Sequence, residues 1–111
     1  NSDFSYPLLA WHPNNRILTM ILEDKGFVWI YFMDTEKNKI EKKKLFGFDK
    51  VSDFSYSPDG TELVMSAIKR GQQDIFIYNL HSETVDLKYR ATLKRYLMTD
   101  NQWYFSIFLV D

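Results

Sequence analysis

An all-β chain built from antiparallel, four-stranded units is the fold class this sequence predicts, and three observations predict it. Short apolar runs alternate with polar, turn-forming clusters as far as Arg90. Aromatic side chains make up 17% of the 111 residues, and their bulk packs well on the pleated surface of a strand. A turn and the strands after it recur 45 residues further on, the mark of a repeated supersecondary unit.

The apolar runs place strands at Phe4–Trp11, Ile17–Leu22, Phe27–Met33, Ile40–Phe46, Val51–Tyr56, Leu63–Ile68, Asp74–Leu80 and Thr84–Lys88. Between them lie His12-Pro13-Asn14-Asn15, Asp24-Lys25-Gly26, Pro58-Asp59-Gly60, Arg70-Gly71-Gln72 and His81-Ser82-Glu83. Asn, Asp and Gly tolerate the positive φ that tight hairpins demand. Short strands at a spacing of about 10–12 residues indicate an antiparallel all-β protein.

Val28-Trp29-Ile30-Tyr31-Phe32 and Ile75-Phe76-Ile77-Tyr78 are apolar without alternation. A sheet with one wet face alternates, so these strands need cover on both sides, from other sheets. Trp11-His12-Pro13-Asn14-Asn15 aligns with Tyr56-Ser57-Pro58-Asp59-Gly60 at an offset of 45, carrying Leu18, Met20 and Gly26 onto Leu63, Met65 and Gly71. The apolar strands then match at 46, as if one residue were inserted. Ser2-Asp3-Phe4-Ser5-Tyr6 also recurs at Ser52-Asp53-Phe54-Ser55-Tyr56, an offset of 50, but over five residues only. Four strands per period of about 40–45 residues is the pattern of β-propeller blades. Trp11, Trp29 and Tyr56 are then expected to pack between blades.

Phe54-Ser55-Tyr56-Ser57-Pro58-Asp59-Gly60-Thr61-Glu62-Leu63-Val64 resembles the repeat of TolB-like propellers, with its aromatic-x-Ser-Pro-Asp-Gly turn. Arg70-Gly71-Gln72-Gln73-Asp74-Ile75-Phe76-Ile77-Tyr78-Asn79-Leu80 is similar to the same family, where a Gly turn precedes an Asp-Ile-aromatic strand. Physically, Pro58 sets φ, Asp59 bonds its own downstream backbone and Gly60 takes the left-handed position. The repeat-motif residues are thus Ser57, Pro58, Asp59, Gly60, Gly71 and Asp74, the last opening its strand. Their first-unit counterparts are His12, Pro13, Asn14, Asn15 and Gly26, in a degenerate copy. The expected organisation is a degenerate blade over 1–48, a TolB-like blade over 49–90 and a divergent tail over 91–111. That tail is the start of a further blade or a non-native reading frame; its first part reads as a short helix and Trp103–Val110 as a buried strand.

Charge and composition exclude several functions. A net charge of −1 with 26% charged residues does not fit a dedicated nucleic-acid binder. Without Cys there is no disulfide, thiolate nucleophile or Cys-based zinc site. No apolar run approaches the ~18–20 residues that span a bilayer. The two histidines, His12 and His81, lie far apart in turns, and no nucleophile elbow or phosphate-cradling Gly loop exists. Catalytic residues, metal ligands and cofactors are therefore not expected. Lys37–Lys44, with five lysines, reads as a solvated outer strand, since Lys at an edge blocks unwanted pairing.

The resemblance implies a non-catalytic scaffold for protein–protein interaction in the bacterial cell envelope, in the periplasm. Its alternative is the gating propeller of a prolyl-oligopeptidase-like serine peptidase whose catalytic domain lies outside this chain. Two blades alone leave apolar faces wet, at about 25 cal/mol per Å², so self-association through those faces or membership of a longer propeller is also expected.

Overall fold

A computed structural model describes residues 6–89, 91–97 and 103–109, with side chains from 6 to 87. β1 (Leu8–Trp11), β2 (Ile17–Asp24), β3 (Phe27–Asp34) and β4 (Lys39–Leu45) form one antiparallel sheet in that order. β5 (Lys50–Tyr56), β6 (Glu62–Lys69), β7 (Gln72–Asn79) and β8 (Thr84–Tyr89) form a second with the same order. The chain is all-β, two propeller-like blades of an unclosed arrangement.

The two sheets are copies at a constant offset of 45, without an insertion. Trp11 pairs with Leu18 as Tyr56 pairs with Leu63, and Ile30 pairs with Ile21 as Ile75 pairs with Ser66. Several turn bonds repeat. His12 N–H donates to the Ile17 carbonyl at 2.8 Å, as Ser57 N–H does to Glu62. Asp34 Oδ1 accepts from the N–H groups of Glu36 and Lys37, as Asn79 Oδ1 does from those of His81 and Ser82. The offset of 46 read from the apolar strands is therefore corrected: Trp29 corresponds to Asp74, so the second apolar run starts one place later. Asp74 does not open its strand either. It is the third residue of β7 and is buried.

Local chemistry explains the hairpins. Lys25-Gly26 and Arg70-Gly71 both have positive φ at each residue (54° and 82°, 53° and 77°), the two-residue geometry whose twist matches the flanking strands. Register slips once in the second sheet's inner pair, at Val51/Asp53, and once in its outer pair, at Ile75/Phe76.

The core lies between the sheets. Ile21, Val28, Ile30 and Leu45 of the first meet Phe54, Leu63, Met65, Ala67, Phe76 and Tyr78 of the second. Phe48, from the connection between β4 and β5, closes the cluster edge-on to Phe76, with ring centroids 4.8 Å apart. Among the described residues, the opposite face of the first sheet has no such cover. Leu9, Trp11 and Ile40 there are 58%, 51% and 66% exposed, whereas Phe54, the counterpart of Leu9, is 5% exposed. Trp11 thus packs against no second blade, while Tyr56 at the same place in the repeat is half-buried. β4 is the outermost strand, and its lysines line an open edge.

Of the tail, Ala91–Leu97 is a strand (β9) rather than the expected helix, and it pairs antiparallel with Trp103–Leu109 (β10). Ala91-Thr92-Leu93-Lys94 alternates apolar with polar, the period-2 pattern of a strand. β9 runs against β7, whereas β5 approaches β1 and β2. The hairpin is therefore not placed against the second blade as the second blade is placed against the first.

Candidate functional site

The antiparallel order puts the β1–β2, β3–β4, β5–β6 and β7–β8 turns at one end of the blades, and side chains there tie one blade to the other. Ser57, Pro58, Asp59, Gly60 and Thr61 form one of these turns. Asp59 Oδ1 accepts from the Ser57 hydroxyl at 2.7 Å, the Thr61 hydroxyl at 2.8 Å and the Thr61 N–H at 3.0 Å. Those donors, the Ser57 hydroxyl foremost, hold its carboxyl down to about 2. Ser57 Oγ in turn accepts from Glu62 N–H. In the matching first-blade turn Asn14 Oδ1 accepts from Arg16 and Ile17 N–H, and Asn15 carries the positive φ (59°) that Gly60 carries (76°).

His12 stands where the other unit has Ser57, and its longer side chain reaches across the seam. Nδ1 accepts from Asn14 N–H at 3.0 Å, which puts the ring proton on Nε2, 3.2 Å from the Gly60 carbonyl that accepts it. The His12 ring also stands edge-on to Tyr56 at 4.9 Å. Tyr56 hydroxyl bonds Thr19 of the first blade, and Lys43 of β4 pairs with Glu83 of the second blade. Burial pushes the Tyr56 phenol up, and the Thr19 bond offsets part of that shift.

Beneath these ties a crevice of about 260 Å³ opens, lined by His12, Phe32, Glu41, Lys43, Tyr56 and Tyr78 among others. Burial and then the Glu41 charge push the Tyr78 phenol up. On the outer rim Arg16 makes two hydrogen bonds to Asp34, at 3.0 and 2.9 Å, holding that carboxyl well below the usual range.

The arrangement offers hydrogen-bonding turns and a mixed polar–aromatic crevice, the equipment of a binding surface. His12 spends both ring nitrogens on backbone groups, so it activates no hydroxyl. Among the described residues, no three His, Asp or Glu side chains gather as a metal site requires, and there is no catalytic constellation. No helix among them is long and apolar enough to cross a membrane.

Of the motif residues, the structure brings the His12–Asn15 turn beside the Ser57–Gly60 turn. Gly26 and Gly71 lie at the opposite end, where Gly71 N–H donates to Asp49 at 3.1 Å, and Asp74 is inside the sheet. Sequence reasoning took His12 for a turn residue and passed over Thr19, Lys43 and Glu83. The available signal was the replacement of a small Ser by a large polar ring at a repeat position whose partner turn keeps its Gly.

No family model matches the sequence, and no curated protein matches it. Among solved structures, TolB from Acinetobacter baumannii superposes with a TM-score of 0.63 at 16% identity, over 91% of this chain and 29% of that one. The likeness is one of fold, and this chain spans less than a third of that structure's length.

Proposed function

We propose that this chain is a portion of a TolB-like propeller of the Ser-Pro-Asp-Gly repeat type, serving as a protein-interaction scaffold in the bacterial cell envelope. Residues 1–48 and 49–90 are its two blades, with 91–111 as a divergent tail. The observation that carries this reading is the pairing of a TolB-like sheet arrangement with turns hydrogen-bonded into fixed shapes at one end. Rigid sheets presenting such loops are a common design for recognition. Ser57, Asp59 and Gly60 in one blade, with His12, Asn14 and Asn15 in the other, form the presented rim. The uncovered outer face of the first blade, with Leu9, Trp11 and Ile40, is the place for a neighbouring blade or a second copy.

Photo-cross-linkers at Asn14 and Pro58 in the full-length protein, combined with cell fractionation, test the proposal. Adducts to envelope proteins from the envelope fraction are expected. Cytoplasmic residence without protein adducts contradicts it.

A further inference from the structure

The two ends of the blades differ in charge. At the end that carries the Lys25-Gly26 and Arg70-Gly71 turns and the β4–β5 connection, Lys25, Lys44, Lys50, Lys69 and Arg70 outnumber Glu23, Asp24, Asp49 and the buried Asp74. At the opposite end Arg16, Lys37, Lys39 and Lys43, which reaches Glu83, are outnumbered by Asp34, Glu36, Asp59, Glu62 and Glu83. The near-neutral total therefore conceals a separation of sign along the blades.

The basic end also exposes rings. Phe46 in the connection is 75% exposed, and Phe27 just after its turn is 48% exposed. Lys44 Nζ stands 3.9 Å from the centre of the Phe27 ring and 5.5 Å from that of Phe46. Lys69 Nζ is 5.5 Å from the centre of Phe48, beside the same connection. The rings project from turns at the tip of the blades, and Phe46 with Lys44 also forms one wall of an open crevice that reaches Glu83. Protruding rings among flexible cations fit a soft, negatively charged interface: aromatic bodies enter the headgroup region while ammonium groups stay at its surface. An acidic protein would need a matching concavity to cover such tips.

We propose that this end docks on an anionic lipid surface, with Phe27 and Phe46 entering the interface and Lys25, Lys44, Lys50, Lys69 and Arg70 drawing the chain to it. The opposite, acidic end then faces away, which orients the His12–Gly60 rim toward solvent. The proposal goes beyond the scaffold reading and does not depend on it, since lipid binding is measured on the purified chain.

Co-sedimentation with phosphatidylcholine vesicles, with and without phosphatidylglycerol, is the test. Binding to the phosphatidylglycerol vesicles alone is expected, falling as salt rises. Lys50→Glu with Lys69→Glu should lower the partition roughly tenfold or more. Phe27→Ala with Phe46→Ala should lower it at every salt concentration, with the far-ultraviolet dichroism retained. Lys37→Glu with Lys39→Glu, at the other end, should leave it nearly unchanged. Equal binding to neutral vesicles, no binding to either, or equal loss from the Lys37/Lys39 pair overturns the proposal. So does binding to polyglutamate without binding to vesicles, which assigns the surface to an acidic protein instead.

Discussion

At Gly60 the backbone φ is 76°, and a Cβ placed there would stand 2.3 Å from His12 Nε2. The residue answers to its own turn and to the neighbouring blade. Gly60→Ala should cost roughly 1–3 kcal/mol in urea unfolding, and the same change in a His12→Ala background should cost less, because only the φ penalty remains. Equal costs in the two backgrounds would show that the added methyl group and the His12 ring do not compete for space. Asp59 makes a second residue-level prediction. Its carboxyl falls to about 2 from an ordinary value of 3.8, so its contribution is complete above 3.8 and disappears as pH falls through about 2. Asp59→Asn should flatten the pH dependence of the urea midpoint over that window and lower the midpoint at neutral pH, where the carboxylate's contribution is complete. The turn at Ser57–Gly60 was legible in the sequence because each of its residues acts on its own backbone. His12 was not, because its partner lies 48 positions away and only the stacking of two sheets brings them together.

Among elements, the two hairpins β2–β3 and β6–β7 place Lys25 and Arg70 in the left-handed region, where a side chain other than Gly, Asn or Asp is disfavoured. Lys25→Asn and Arg70→Asn should each raise stability by about 0.5–1 kcal/mol, read as a shift in urea midpoint at unchanged slope. A loss of stability would mean that the two side chains contribute contacts that outweigh the backbone preference. Strand positions were legible to within a few residues, since apolar runs and turn clusters are local. Register was not. Matching Trp29–Phe32 to Ile75–Tyr78 compares runs of hydrophobicity, whereas the strand registers make Trp29 the counterpart of a buried Asp74. A buried carboxylate inside an apolar strand breaks the simplest alignment rule. The first part of the tail was misread for the related reason that Lys and Arg are good helix formers, while the pairing of Ala91–Leu97 with Trp103–Leu109 is a non-local fact.

For the molecule as a whole, the core between the blades predicts one cooperative unit. Met65 is fully buried at that interface, so Met65→Ala should cost about 2–5 kcal/mol and lower the unfolding midpoint of probes in both sheets together. Separate transitions would show that the blades fold independently. The propeller architecture was legible because a repeat near 45 residues survives degeneration of the motif, but the face left open at Leu9, Trp11 and Ile40 was visible only once the sheets were stacked. The ties across the seam have a mechanical consequence. His12–Gly60, Thr19–Tyr56 and Lys43–Glu83 are few, while every turn closes within its own blade. Pulling the sheets apart from the His12 end would load those three bonds in succession, like a zip. Pulling from the Phe46–Asp49 end would load the covalent connection between the blades. The two directions should therefore yield at different forces, with the seam more compliant from the His12 end.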